Sequence, residues 1–163
     1  MGVPSPDYLA LLRALLEHQV DFIIVGGVSA VLHGAPVTTF DLDVVHSRTP
    51  ENIARLLSVL QDLDAYYRGL GAQRLQPTAE RLASPGRQLL MTRLGPLDLL
   101  GTIGAGHDYK DLLTHTLELQ VSGMPVRILE LETLIRTKVE LDREKDRAVI
   151  PILRRTLEEK TKR

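Results

Sequence analysis

Apolar side chains recur at positions 8, 9, 11, 12, 15 and 16 of "DYLALLRALLEH" (7–18), the spacing of one helical face, and Asp7 is placed to cap that helix. "DFIIV" (21–25) is a short β-branched run cut off by Gly26-Gly27, which predicts a buried strand. "VSAVLHG" predicts a short helix closed by Gly34, and "DLDVV" (41–45) a second strand. Thr49-Pro50-Glu51 opens a helix over "ENIARLLSVLQDL", with Pro50 in its first turn. Residues 64–86 keep no clean period and contain Gly69, Gly71, Pro77, Pro85 and Gly86, so they predict a loop with a short helix near 78–83. "RQLLMTRL", "GPLDLLGTI", "LELQV" and "MPVRILE" predict further strands, with "HDYKDLLTHT" a helix or turn between two of them. Helices are expected from about Leu131 to the C-terminus, interrupted near "DREKD" and kinked or restarted at Pro151. Helices and strands alternate without a repeat, which gives an α/β or α+β fold class.

At 163 residues the chain suits one domain, with a core over about 20–130 and a helical C-terminal part over about 131–163. The 20 Lys and Arg against 21 Asp and Glu leave no overall field that would mark a nucleic-acid or membrane binder. The balance hides an asymmetry, because from Leu131 onward there are ten basic and seven acidic residues. That tail reads either as a solvated helical face or as a surface for a polyanion. With no cysteine, disulfides and thiolate metal sites are excluded. "MGVPSPDYLALL" has no basic region followed by an apolar core and a small-residue cleavage site. No apolar run approaches the ~20 residues needed to span a bilayer, so a cytoplasmic protein without a membrane partner is expected.

The second strand poses a chemical problem. Residues two apart on a strand share a face, so Asp41 and Asp43 point the same way while Leu42 and Val44 pack on the other side. Two carboxylates that close repel one another, and burying them unpaired is costly. A strand with one hydrated edge satisfies the spacing; so does a divalent cation, since hard oxygen ligands on one face suit Mg²⁺. The glycines upstream favour the second reading. Gly26-Gly27 follow a strand and precede a helix, where backbone amides can approach a phosphate with no side chain in the way. The Rossmann and P-loop patterns are both absent. A phosphate-friendly turn followed by a carboxylate pair would position a nucleoside triphosphate with its magnesium. Two-metal phosphoryl chemistry commonly uses one more carboxylate. Asp98, an acid inside the apolar strand "GPLDLLG", is the best candidate for it.

Apolar-Gly-Gly, a spacer and Asp-apolar-Asp-apolar resemble the DNA polymerase β nucleotidyltransferase superfamily. Within it, the chain is similar to the small AbiEii/AbiGii-type (type IV toxin-like) nucleotidyltransferases. The resemblance runs from about Phe22 to Arg154 and includes "HGAPVTTFDLD", the strand acid Asp98 and "LETLIRTKVELDREKD". Val37 stands where many relatives have an arginine. The resemblance implies a mixed, largely antiparallel sheet flanked by helices, with C-terminal helices forming the second wall of a cleft. It also implies transfer of a nucleoside monophosphate, with Asp41, Asp43 and Asp98 as metal-binding and catalytic acids. An RNA 3′ end as acceptor and a cognate antitoxin as partner follow from the toxin-like relatives.

On a helix from Leu131, residues 131, 134, 135 and 139 form the apolar stripe, and Lys138 falls inside it. A lysine there either snorkels to water or meets an anion, and a triphosphate would supply one. The expected nucleotide-holding set is therefore Gly26, Gly27, Ser29 and Lys138. Asp142, one turn on, could pair with Lys138, while Asp146 is expected to cap the last helix. Arg143 and Lys145 are surface charges or phosphate contacts. The chain is thus expected to be a Mg²⁺-dependent nucleotidyltransferase acting on a hydroxyl. The alternatives are a non-catalytic nucleotide- or partner-binding protein on the same fold, and a transferase acting on protein or small-molecule hydroxyls.

Overall fold

The structure, a computed structural model, describes residues 6–162; the N-terminal reading above rests partly on residues 1–5, outside that range. Helix α1 (Tyr8–Glu17) is capped by Asp7, whose side chain accepts a hydrogen bond from the Ala10 amide. Strand β1 (Phe22–Val25) leads directly into α2 (Gly26–Leu32), so the two glycines form the first turn of the helix rather than a loop before it. Strand β2 spans Leu42–His46, and Asp41 sits in the bend just before it. Helix α3 (Pro50–Asp62) is capped by Thr49, with Pro50 in its first turn. The stretch without a period contains β3 (Tyr66–Tyr67), too short to leave a pattern, and α4 (Ala79–Leu82). Then come β4 (Arg87–Thr92), β5 (Gly95–Leu100), β6 (Thr102–Ile103), β7 (His107–Asp108) and α5 (Tyr109–Leu112). The chain ends with β8 (Thr116–Val121), β9 (Met124–Leu129), α6 (Leu131–Leu141) and α7 (Glu144–Thr161).

Seven strands form one mixed sheet in the order β3-β4-β5-β2-β1-β9-β8. The β2–β5 and β1–β9 pairs are parallel, and the other four are antiparallel. Period-2 alternation splits the core between two faces. On one, Leu42, Val44, Leu97 and Leu99 pack with Leu11, Leu15, Leu56 and Leu60 of α1 and α3. On the other, Val25, Val45 and Leu100 pack with Leu131, Leu134, Ile135 and Leu153 of α6 and α7. Asp43 and Asp98 alternate with residues of the first set, which turns them toward the second face, under the C-terminal helices.

Two expectations for that C-terminal part need correction. Helix α7 runs through Pro151 as one helix, so of the kink or restart expected there the restart does not occur. Pro151 is exposed, so water can take up the carbonyl that its missing N–H leaves free. On α6 the buried stripe is Leu131, Leu134 and Ile135 with Thr133 and Thr137, whereas Val139 is 45% exposed. The packing face is rotated relative to the hydrophobic count because the buried threonines fit against their neighbours. Thr137 also donates to the Leu134 carbonyl, which satisfies its hydroxyl. Among the described residues no helix is long and apolar enough to cross a membrane.

Candidate active site

Strand register assembles the acids. Asp43 on β2 lies directly beside Asp98 on β5 in the parallel pair, so their side chains share a face. Asp41 approaches from the bend before β2, and one oxygen from each carboxylate falls within a 4.8 Å cluster. Asp98 is 2% exposed, a strand acid with apolar neighbours on either side. The glycines make this approach sterically feasible. A Cβ on Gly26 would overlap the Asp43 carboxylate, and Gly26 also has φ +65°, a conformation most side chains avoid. A Cβ on Gly27 would come 2.5 Å from Thr39 Oγ1. Thr39 is itself held in place: its hydroxyl donates to the Asp41 carbonyl, and Tyr8 donates its phenol to the Thr39 carbonyl.

The electrostatics follow from the crowding. Burial, with the charges of Asp41 and Asp98 beside it, pushes the Asp43 carboxyl up to about 8. Burial also raises Asp41, reinforced by its hydrogen bond and charge interaction with Asp98 and opposed by Arg68. Asp43 Oδ1 and Asp98 Oδ1 are buried without a hydrogen-bond partner among the described residues. The Asp43 acceptor, orphaned within a cluster of three carboxylates, fits an oxygen-seeking divalent cation. The nearest charge belongs to Arg68. Its Nη2 lies 2.7 Å from Asp98 Oδ1, off the line of an N–H, so the contact is an ion pair and not an aligned hydrogen bond.

Beside the acids opens a cleft of about 490 Å³. That is within the range of small-ligand sites. Gly26, Gly27 and Asp43 line its floor, Arg87 and Ile103 one side, and Leu134, Lys138, Arg143, Lys145 and Val149 the other. Lys138 is lowered from its ordinary value, mainly by burial, with Asp146 and Asp43 acting in the opposite direction. Its Nζ stands 3.6 Å from Asp146 Oδ1. Asp146 is 1% exposed and accepts from the Arg143 backbone N–H and from its guanidinium, at 2.6 and 3.1 Å. Burial would raise this carboxyl, but Arg143 and Lys138 together hold it below the usual carboxylate range.

No protein-family model matches the chain, and no curated protein matches it in sequence. Solved structures do match in shape. A lincosamide antibiotic adenylyltransferase, LnuA, solved with lincomycin bound, superposes with a TM-score of 0.62 at 13% identity, covering 93% of this chain and 98% of that one. A candidate nucleotidyltransferase from Thermotoga maritima (TM1012) gives 0.57 at 18% identity over 93% of both chains. The antibiotic-resistance factor ANT(2'')-Ia gives 0.57 at 15% identity, over 91% of this chain and 80% of that one. The chain has the nucleotidyltransferase fold.

Within that fold the cleft brings together Gly26, Gly27, Asp43 and Lys138, with Asp41 and Asp98 in the adjoining cluster. Ser29 does not reach the cleft lining: it is fully buried on α2, with no partner for its hydroxyl among the described residues. Asp142 pairs with Arg147, not Lys138, because it ends α6 in a left-handed conformation that turns its side chain away. Asp146 sits at the third position of α7, where its carboxylate reaches back to the Arg143 amide in a capping box, rather than preceding the helix. Sequence reasoning missed two cations. Arg87 opens β4 opposite Leu100 and would be read as a solvated strand end. Arg68 follows β3 inside the stretch with no period, where no local signal distinguishes it.

Proposed function

We propose that this protein transfers a nucleoside monophosphate from a nucleoside triphosphate to a hydroxyl acceptor, with pyrophosphate as the leaving group. The observation that carries this reading is the register of β2 and β5, which sets Asp43 beside Asp98 at the foot of a glycine turn on a nucleotidyltransferase fold. Asp41, Asp43 and Asp98 would hold Mg²⁺, in one or two ions, whose chemistry there is to neutralise phosphate charge and activate the attacking oxygen. Gly26 and Gly27 line the cleft at the start of α2, where their amides would bind phosphate. Lys138 and Arg87 face the charge that builds on the departing pyrophosphate. The acceptor oxygen bonds to the α-phosphorus, the bond from that phosphorus to the bridging oxygen breaks, and the hydroxyl proton passes to Asp98.

Two acceptor classes have support. The AbiEii-like segment "LETLIRTKVELDREKD" favours an RNA 3′ end and, with it, a toxin role and a cognate antitoxin. The likeness to LnuA, which spans nearly the whole of that chain, favours a small-molecule hydroxyl. The experiment is incubation with each α-labelled nucleoside triphosphate and Mg²⁺, supplied separately with RNA, protein and small-molecule extract. Label in one fraction, lost on Asp41→Asn substitution, is the expected result. No transfer to any fraction with any of the four nucleotides would leave the non-catalytic binding protein as the better reading.

A further inference from the structure

Arg68 is held where the acid cluster needs its cations. Its own N–H donates to the Leu89 carbonyl at 3.0 Å, and Nη1 donates to the Leu90 carbonyl at 2.6 Å. Both anchors lie on β4, the neighbour of the strand that carries Asp98. The remaining arm, Nη2, reaches Asp98 Oδ1 at 2.7 Å and stands 3.9 Å from Asp41 Oδ2. The side chain is 26% exposed, and that of Asp98 only 3%. An arginine keeps its charge at any pH the protein survives, so it cannot yield to a second cation by losing a proton. It can only be displaced. A guanidinium beside the third acid also eases a problem of the metal-free state, where three carboxylates share one half-buried corner and otherwise have only Arg87 and Lys138, acting on Asp43, as counter-charges.

We propose that Arg68 is a built-in counter-ion of Asp98, one that a divalent cation must displace before it can use the third acid. The inference rests on the reading of Asp41, Asp43 and Asp98 as metal ligands. It further assigns the two halves of the cluster different properties: Asp43 offers a free oxygen, whereas Asp98 is already engaged. Because the guanidinium is planar and rigid, displacement moves Nη1 together with Nη2 and gives up the Leu90 contact, while the backbone N–H stays on the Leu89 carbonyl of β4.

The test is Mn²⁺ binding to the full chain without nucleotide, measured from the electron paramagnetic signal of the free ion, for the wild type, Arg68→Gln and Arg68→Lys. Arg68→Gln is expected to bind Mn²⁺ about tenfold or more tightly than wild type, the scale of one charged contact removed. Arg68→Lys, which keeps the charge, is expected to stay close to wild type. The melting temperature of metal-free Arg68→Gln should fall, and Mn²⁺ should raise it by more than it raises the wild type. A variant that is unfolded without ions and refolds on adding Mn²⁺ supports the inference in the same way; one that Mn²⁺ does not rescue overturns it. Equal or weaker Mn²⁺ affinity in Arg68→Gln also overturns it, while leaving the metal site itself standing. If the wild type binds no Mn²⁺ even with an unreactive α,β-methylene nucleotide present, the metal-site reading fails and this inference with it.

Discussion

Asp98 shows how much one position depends on its neighbours. In the sequence it is an acid among leucines; in the structure it is buried beside Asp43 and bound to a guanidinium. The role in transfer proposed for it should separate from nucleotide binding. Asp98→Asn is expected to keep most of the nucleotide affinity and to lose transfer, because a proton acceptor matters chiefly in the transition state. Asp41→Asn should lose both. Equilibrium binding of a labelled nucleotide beside single-turnover transfer checks the pair, and transfer at the wild-type rate by Asp98→Asn would remove the third acid from the reaction. Gly26 and Gly27 were legible for a related reason. A paired glycine at the end of a β-branched run signals close approach of something to the backbone, and here those things are the Asp43 carboxylate and Thr39.

The junction of α6 and α7 forms the second wall, and Asp146 ties it together. Lys138 contributes one charge to that carboxylate, but Arg143 makes its hydrogen bonds. The two residues should therefore behave differently when replaced. Lys138→Met keeps the stem's volume, so ligand-free stability should change little while nucleotide affinity falls roughly tenfold. Asp146→Asn should cost about 1–2 kcal/mol of stability near neutral pH, since it weakens charge-assisted hydrogen bonds at a buried site. Its pH dependence has a definite sign. The folded-state carboxyl lies below the unfolded value of 3.8, so its stabilisation is present above that value and is lost as pH falls through the folded one. Denaturant unfolding over a pH series from neutral into acid checks this: the gap between wild type and Asp146→Asn should narrow as the folded-state carboxyl takes up its proton. A gap that persists there would mean that Asp146 acts through packing instead.

For the molecule as a whole, the cleft lies between the sheet and the C-terminal helices, so a ligand that fills it touches both and should stabilise the folded state. Mg²⁺ and a nucleoside triphosphate together are expected to raise the melting temperature more than the sum of either alone, since they share the acid cluster. A thermal scan with each of the four nucleotides at millimolar concentration reads this directly. No shift with any of them would count heavily against the site.

Most helices and long strands could be read from periodicity, because amphipathic period is a local property. So could the acids and the glycine turn, because charge inside an apolar run and glycine at a strand end are local anomalies. The face of α6 that packs inward could not: the buried Thr133 and Thr137 are polar in the count, and only their neighbours make them core residues. Nor could the pairing of Asp142 with Arg147, which depends on a left-handed residue at the helix end. Arg68 is the clearest case. A guanidinium thirty residues from Asp98 in the chain becomes its nearest charge only because β3, β4 and β5 are neighbours in the sheet, and strand order is settled by long-range pairing that no window of sequence contains.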